Sequence, residues 1–199
     1  LGTDEDGLVE IMDEEILFYN NQTISVPSSS AYPNPFVNKL AFVGDDVYLA
    51  TRAGLTVKDG ELFSGLHPYY TVPSIDLLAD GKTNDIVYDQ QKYIYVATDS
   101  GISVMDINNN VLNVNRASYP TLPEDRFWSL FDLGKGTVIA LSQNHLIYFV
   151  DGVLQESDFV ELSTSGLPLG NQWNQVIPEY DGNTFEGLWL ASSAGLYFY

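Results

Sequence analysis

The chain has 199 residues, with 27 acidic against 8 basic side chains, a formal net charge of −19 and no cysteine. Eight scattered bases form no basic patch, which excludes a nucleic-acid binder, and zero cysteines exclude a disulfide scaffold, a thiol nucleophile and a thiolate metal site. Hydrophobic residues make up 45% of the chain, which favours a folded domain over disorder. Because no apolar run reaches roughly 18 to 20 residues, we expect no membrane insertion by this segment.

A sequence block recurs along the chain about every 45 residues. Its clearest copy runs from Ile94 to Val104, and reads aliphatic, aromatic, aliphatic, small, Thr or Ser, two loop residues, Gly, aliphatic. In chain order, the copies cover residues 8–19, 47–57, 94–104, 138–148 and 188–198. The first copy is weak and the fourth is degenerate. Each copy predicts two β-strands joined by a short loop.

The segments that flank the block also recur. A strand-like run precedes each of the last four copies, at residues 39–43, 85–88, 127–131 and 175–177. Asn38, Asn84 and Asn174 open three of these four runs. Turn-forming residues follow the first four copies, at Asn20-Asn21, Asp59-Gly60, 108–110 and Asp151-Gly152. Each unit therefore has four short antiparallel strands and no helical period, which predicts the blades of an all-β protein, a β-propeller.

The chain contains about four and a half such blades of four antiparallel strands each. We expect a partial blade at about residues 1–27 and blades at about residues 36–64, 83–114, 126–156 and 174–199. Two interpretations remain. The chain is an arc of a six- to eight-bladed propeller, with the remainder on a longer chain, or a small propeller of about five blades in which both ends share a blade. We favour the arc, because an exposed Tyr-Phe-Tyr strand is an aggregation hazard.

The block resembles the propeller repeats of bacterial two-component regulators, whose usual form is close to N-x-V, then D-x-x-G-x-I-W-I-G-T-x-x-G-L. The last copy carries this pattern best, with Asn174, Asp181, Gly182, Leu188, Trp189, Leu190, Gly195 and Leu196. Other copies depart from it, since Tyr48 and Tyr95 replace Trp and His145 stands at the Gly position. Similar blades also resemble parts of glycan lyases, xyloglucan-cleaving enzymes, secretion-system surface proteins and adhesive exoproteins.

The resemblance implies a sensor propeller outside the cytoplasm, in the periplasm, at the cell surface or secreted. In a propeller, the loops between strands 2 and 3 and the loops between blades lie on one face, which is the usual binding surface. Candidate ligand-binding residues there are Arg52, Asp99, Asn144, His145 and Ser193 in the 2–3 loops, and His67, Tyr69, Tyr70 and Trp173 between blades. Aromatic rings beside Asn, Asp and Arg suit a sugar or a peptide. The alternative is that these aromatics only pack the loops and that His145 is a surface residue.

No catalytic motif supports an enzyme. The sequence contains no G-x-S-x-G, no H-E-x-x-H and no phosphate-binding Gly-rich loop, and His67 and His145 are its two histidines. We therefore assign no catalytic residue, metal or cofactor, and predict a non-enzymatic binding or sensing module for a glycan, a peptide or a partner protein. The alternatives are a fragment of a secreted glycan lyase or glycosidase and a structural or adhesive surface protein.

Overall fold

A computed structural model describes residues 8–12, 15–19, 36–52, 54–59, 62–66, 78–108, 110–162 and 173–199. The regular structure of these residues is β-strand. The strands are β1 Leu8–Met12, β2 Glu15–Tyr19, β3 Val37–Val43, β4 Asp46–Thr51, β5 Gly54–Asp59, β6 Leu62–Leu66, β7 Thr83–Tyr88, β8 Tyr93–Thr98, β9 Gly101–Asp106, β10 Val111–Val114, β11 Phe127–Gly134, β12 Thr137–Ser142, β13 His145–Val150, β14 Val153–Leu154, β15 Val160–Glu161, β16 Trp173–Asp181, β17 Thr184–Ser192 and β18 Gly195–Phe198. Over the same residues, no helix has the length and apolar character needed to span a membrane.

The strands form five antiparallel sheets, which we number as blades 1 to 5 in chain order. Blade 1 is β1–β2, blade 2 is β3 to β6, blade 3 is β7 to β10, blade 4 is β11 to β15 and blade 5 is β16 to β18. Strands that follow one another in sequence are neighbours in blades 2, 3 and 5. In blade 4, both β14 and β15 pair with β13, at its two ends. The prediction of an all-β propeller built from antiparallel blades is confirmed.

Short hairpins connect the strands, and the turn at Asp151-Gly152 illustrates their chemistry. Both residues have positive φ, 48° for Asp151 and 81° for Gly152. Positive φ at two successive turn residues is the conformation that a two-residue hairpin needs, and Asp and Gly tolerate it best. The predicted turn at Asn20-Asn21 lies outside the described residues.

The first strands of successive blades lie side by side, since β3 contacts β7, β7 contacts β11 and β11 contacts β16. They are therefore the inner strands of the propeller. Apolar side chains fill the space between blades in three clusters, of which the one between blades 3 and 4 includes Tyr95, Phe127 and Phe149. The Tyr95 and Phe149 rings meet edge to face at 5.4 Å. The core of this protein is thus a series of sheet-to-sheet interfaces.

The Thr or Ser of the repeated block closes the loop between strands 2 and 3 in blades 2 to 5. The hydroxyls of Thr51 and Thr98 each donate to the carbonyl of the glycine three residues later, at 2.8 Å. That glycine has positive φ, for example 137° at Gly101, where a Cβ would lie 2.6 Å from the Val114 carbonyl. His145, at the equivalent position of blade 4, does not have a positive φ. The loop of blade 4 therefore has a different backbone conformation, which explains why a side chain is accommodated there.

Candidate ligand-binding site at the mouth of the inner strands

A cavity of about 550 Å³ opens where the inner strands begin, and we call it the mouth cavity. Its size lies within the range of small-molecule pockets, about 300 to 1,000 Å³. The lining residues are Asn38, Arg52, Lys82, Asn84, Trp128, Trp173 and Asn174. They come from all four of the described inner strands and from two loops on the same face. The mouth cavity is therefore built jointly by blades 2 to 5.

A β-bulge at the start of each inner strand directs side chains into this cavity. The strand pairing skips residue 38 in blade 2 and residue 84 in blade 3. It likewise skips residue 128 in blade 4 and residue 174 in blade 5. A bulged residue has no partner on the neighbouring strand and bends the strand locally, which changes the direction of its side chain. All four bulged residues line the mouth cavity, and we call them the bulge residues.

Two of the bulge residues tie one blade to the next. The side-chain amide of Asn38 donates to the Thr83 carbonyl at 2.6 Å. That of Asn84 donates to the Phe127 carbonyl at 2.8 Å. Thr83 and Phe127 each directly precede the bulge residue of the next blade. The two hydrogen bonds therefore join equivalent positions of successive blades. This tie explains why Asn recurs at the start of the inner strands.

Asp99, in the 2–3 loop of blade 3, accepts hydrogen bonds from three donors beside the cavity. Asn84 donates at 2.9 Å, Lys82 at 3.0 Å and Arg126 at 2.9 Å. Burial alone raises the pKa of the Asp99 carboxyl, but the hydrogen bonds of Asn84 and Lys82 and the charge of Arg126 lower it below its usual range. Asp99 is therefore ionised at neutral pH and holds Lys82 and Asn84 in the cavity wall.

A second carboxylate, Asp85, lies deeper between blades 3 and 4 and is 5% exposed. It accepts the backbone N–H groups of Ile86 and Leu130, both at 2.8 Å. Burial raises the pKa of Asp85, whereas the charge of Lys39 and these hydrogen bonds act in the opposite direction. In blade 4, Ser129 takes the equivalent position and accepts the Val176 N–H at 3.2 Å. Asp85 is thus part of a recurring tie between blades.

Two cation–π contacts order the basic side chains around the mouth cavity. The Arg52 guanidinium lies 4.4 Å from the centre of the Phe36 ring, and the Arg126 guanidinium lies 3.8 Å from that of Trp128. Arg126 also binds Asp99, as described above. These contacts restrict the motion of two long side chains and so keep their positive charge near the cavity.

A polar network supports the wall on the side of blade 5. The Glu124 carboxylate accepts the backbone N–H groups of Gln143 and Asn144 and contacts the His145 Nδ1 at 2.7 Å. The Gln143 carbonyl in turn accepts the indole N–H of Trp173 at 2.8 Å. Glu124 therefore holds the 2–3 loop of blade 4 in place, and that loop holds the Trp173 ring.

The structure brings some of the predicted site residues together and leaves others apart. Arg52 and Trp173 line the mouth cavity, and Asp99 binds two of its lining residues. Asn144 and His145 support its wall through Glu124. Ser193 is exposed in the β17–β18 turn and does not line the cavity. The predicted residues His67, Tyr69 and Tyr70 lie outside the described residues.

Sequence reasoning missed five of the lining residues, namely Asn38, Lys82, Asn84, Trp128 and Asn174. The recurrence of Asn at three equivalent positions was a usable signal, but it was interpreted as a strand start. Trp128 takes the same position in blade 4, and because it is not Asn the recurrence does not point to it. The bulges that direct these side chains depend on strand register, which residue alternation does not report.

Comparisons with known proteins identify related structures. No family model matches the sequence, and no curated protein matches it significantly. The extracellular domain of the putative hybrid two-component system BT3049 from B. thetaiotaomicron is similar to this chain with a TM-score of 0.70 and 22% identity, over 98% of this chain and 26% of that one. The extracellular domain of the putative hybrid two-component system BT4673 from the same organism is similar with a TM-score of 0.65 and 18% identity, over 100% and 24%.

A more distant similarity involves an enzyme, virginiamycin B lyase from Staphylococcus aureus. Its TM-score is 0.54 at 9% identity, over 82% of this chain and 55% of that one. The chain spans about a quarter of the two extracellular domains. At these identities the similarities establish the fold alone, which is a β-propeller.

Proposed function

We propose that this chain is part of a non-enzymatic propeller module that acts outside the cytoplasm and binds its ligand in the mouth cavity. The observation that carries this proposal is the convergence of four bulge residues from four blades on a single cavity. The similarity to the extracellular domains of putative two-component systems supports a sensing role and an extracytoplasmic location. Binding there is expected to be sensitive to the relative positions of the blades.

The chemistry of the lining favours binding over catalysis. Amides, indoles and two basic side chains line the mouth cavity, and among the residues that the structure describes the lining includes no carboxylate and no histidine. General acid–base catalysis normally uses such groups within hydrogen-bond reach of the substrate. Asp99, which binds the lining residues Lys82 and Asn84, is ionised and accepts from three donors, which suits a structural role.

A glycan fits the lining better than the two other ligand classes. Asn38, Asn84 and Asn174 present amides to the cavity. The Asn84 amide donates both of its N–H groups to Asp99 and Phe127, so it offers its carbonyl oxygen as an acceptor, and Asn38 donates one N–H to Thr83. Such amide oxygens and the remaining amide N–H groups match the hydroxyl groups of a sugar. The volume of about 550 Å³ suits a small ligand or the end of a longer one. A peptide ligand and a protein partner are the other outcomes of the test described next.

The proposal is tested by screening the chain against a glycan array and confirming hits by isothermal titration calorimetry. The variant Arg52→Ala removes a charged lining group, and we expect it to weaken binding about tenfold. Ser193→Ala is the matched control, because it changes an exposed loop residue of the same face outside the cavity. Binding that is equal in both variants would contradict a ligand site in the mouth cavity.

The enzyme alternative needs a separate measurement. The chain is incubated with polysaccharides and the products are followed by chromatography. Turnover that is lost in the variants His67→Ala or Tyr70→Phe would favour a glycan-active enzyme. We expect no turnover.

A further inference from the structure

Blade 5 exposes an apolar surface on the side that faces away from blade 4. Strand pairing places Ile177, Trp189 and Phe198 in one row across the sheet, and Leu196 lies on the same side of β18, two residues before Phe198. These four residues are 36% to 63% exposed, whereas Leu190, on the opposite side of the sheet, is buried in the cluster with blade 4. We call this surface the open face. Exposed patches of large apolar side chains mark interaction surfaces.

The same repeat positions are covered in blades 2, 3 and 4. In blade 4, for example, Phe131, Ile139 and Tyr148 form the equivalent row across the sheet and pack in the cluster shared with blade 5. The full sets are Ala41, Tyr48, Leu55 and Val57 in blade 2, Val87, Tyr95, Ile102 and Val104 in blade 3, and Phe131, Ile139, Leu146 and Tyr148 in blade 4. Each set belongs to a cluster that also contains residues of the next blade. Three interfaces within this chain therefore use the positions that form the open face.

The surface that covers these positions has the same chemistry in all three interfaces. It is the opposite side of the next sheet, and it presents aliphatic side chains from the first and second strands. These residues are Ile86, Ile94 and Val96 in blade 3, Leu130, Val138 and Ala140 in blade 4, and Val176, Leu188 and Leu190 in blade 5. The open face therefore fits an antiparallel sheet with apolar residues at the same positions.

A polar tie accompanies two of these interfaces, at the residue that follows the bulge residue. Asp85 accepts the Leu130 N–H of the next blade at 2.8 Å, and Ser129 accepts the Val176 N–H at 3.2 Å. Gln175 takes this position in blade 5 and is exposed. Its amide oxygen is an acceptor of the same kind. The polar edge of the open face therefore also matches the inner strand of another blade.

We infer that the open face is the docking surface for one further blade of this repeat, joined to blade 5 on the same polypeptide. A second copy of this chain suits it less. Four roughly half-exposed side chains offer roughly 400 Å², whereas a stable complex between separate proteins buries about 800 Å² on each partner. A covalently joined blade has a high effective concentration and needs less area. This inference is independent of the ligand proposed for the mouth cavity.

The test uses the full chain and an extended chain in which a second copy of residues 106–162 follows Tyr199. Since Tyr199 is equivalent to Met105 in the repeat, this extension continues in register and supplies a fourth strand for blade 5 and a copy of blade 4. Leu196→Ala should leave the urea midpoint of the unextended chain unchanged. It should lower the midpoint of the extended chain by about 1 M, because the leucine is then buried between two sheets.

Leu112→Ala is the matched control, since Leu112 is 48% exposed on the fourth strand of blade 3 and should have no effect in either chain. The inference is wrong if Leu196→Ala remains neutral in a folded extended chain. It is also wrong if sedimentation velocity shows that the unextended chain is a dimer that Leu196→Asp dissociates, because the occupant is then a second copy.

A second extension covers the case in which the first does not fold. Residues 59–108 continue the repeat in the same register, because Tyr199 is also equivalent to Lys58, and they supply a copy of blade 3 for the same comparison. Failure of both extended chains to fold would overturn the inference, since the open face would then accept neither of these two blades of the chain.

Discussion

Blades 4 and 5 place the same repeat positions in two different environments. The face of blade 4 that looks toward blade 5 is covered, and its Ile139 and Leu146 are buried. The equivalent residues of blade 5 are Trp189 and Leu196, which are exposed. The first three strands have the same order in both sheets, and the loop between the second and third is closed by Ser142 or Ser192. The comparison shows that the repeat specifies the sheet by itself, whereas its contribution to stability depends on the neighbouring blade.

The largest effect is expected from a pair of leucines at the same repeat position. Leu146 is 0% exposed and Leu196 is 63% exposed. We expect Leu146→Ala to lower the free energy of unfolding by about 2 to 5 kcal/mol, because it leaves a cavity between two sheets. Leu196→Ala should change it by less than about 0.5 kcal/mol.

Urea denaturation followed by circular dichroism measures both leucine variants. Similar losses in the two variants would show that Leu196 is covered in solution, and the contrast between the two blades would then be wrong.

A second comparison uses the aromatic position of strand 2. The Tyr95 hydroxyl accepts the buried Gly152 N–H of the next blade at 3.0 Å. Tyr95→Phe leaves that N–H unpaired and should cost about 2 kcal/mol. Trp189 occupies the equivalent position of blade 5, and Trp189→Phe should be nearly neutral. The same denaturation experiment measures both variants, and a cost for Trp189→Phe as large as that for Tyr95→Phe would contradict the comparison.

The smallest of these effects concerns the bulge asparagines. Asn84 ties blade 3 to blade 4, so Asn84→Ala should lower the free energy of unfolding by about 1 kcal/mol. Asn174 is exposed on blade 5, and Asn174→Ala should change stability by less than about 0.5 kcal/mol. Equal losses would show that the tie contributes nothing specific. Thermal unfolding of the two variants, monitored side by side, distinguishes these outcomes.

The sequence predicted the fold well because the fold follows from local patterns. Alternation such as that of Ile94, Tyr95 and Val96 recurs along the chain, and turn residues such as Asp151-Gly152 follow the first four copies of the block. These local patterns determine strands and hairpins one at a time. Repetition then supplies the arrangement of the blades. These patterns can be recognised without knowing which distant residues are in contact.

The candidate site could be predicted only in part, because it depends on departures from those patterns. Arg52 and Trp173 were accessible through their place in loops of one face. Asn38 and Asn84 line the cavity only because a bulge shifts the strand register beside them. Trp128 stands out only when its unpaired N–H is compared with the paired amides of the other blades. Such information lies in the contacts between blades and not in a single repeat.

The bulge at the start of each described inner strand separates the sheet scaffold from the residue that lines the mouth cavity. Since the residue it carries is skipped by the strand pairing, that residue can change without altering a backbone hydrogen bond of the sheet. Four such positions surround one cavity, and two of them, Asn38 and Asn84, also tie neighbouring blades. A substitution at one of these positions therefore changes the lining of the cavity while the strand pairing within the blade stays the same. Trp128 is what such a substitution looks like in this chain.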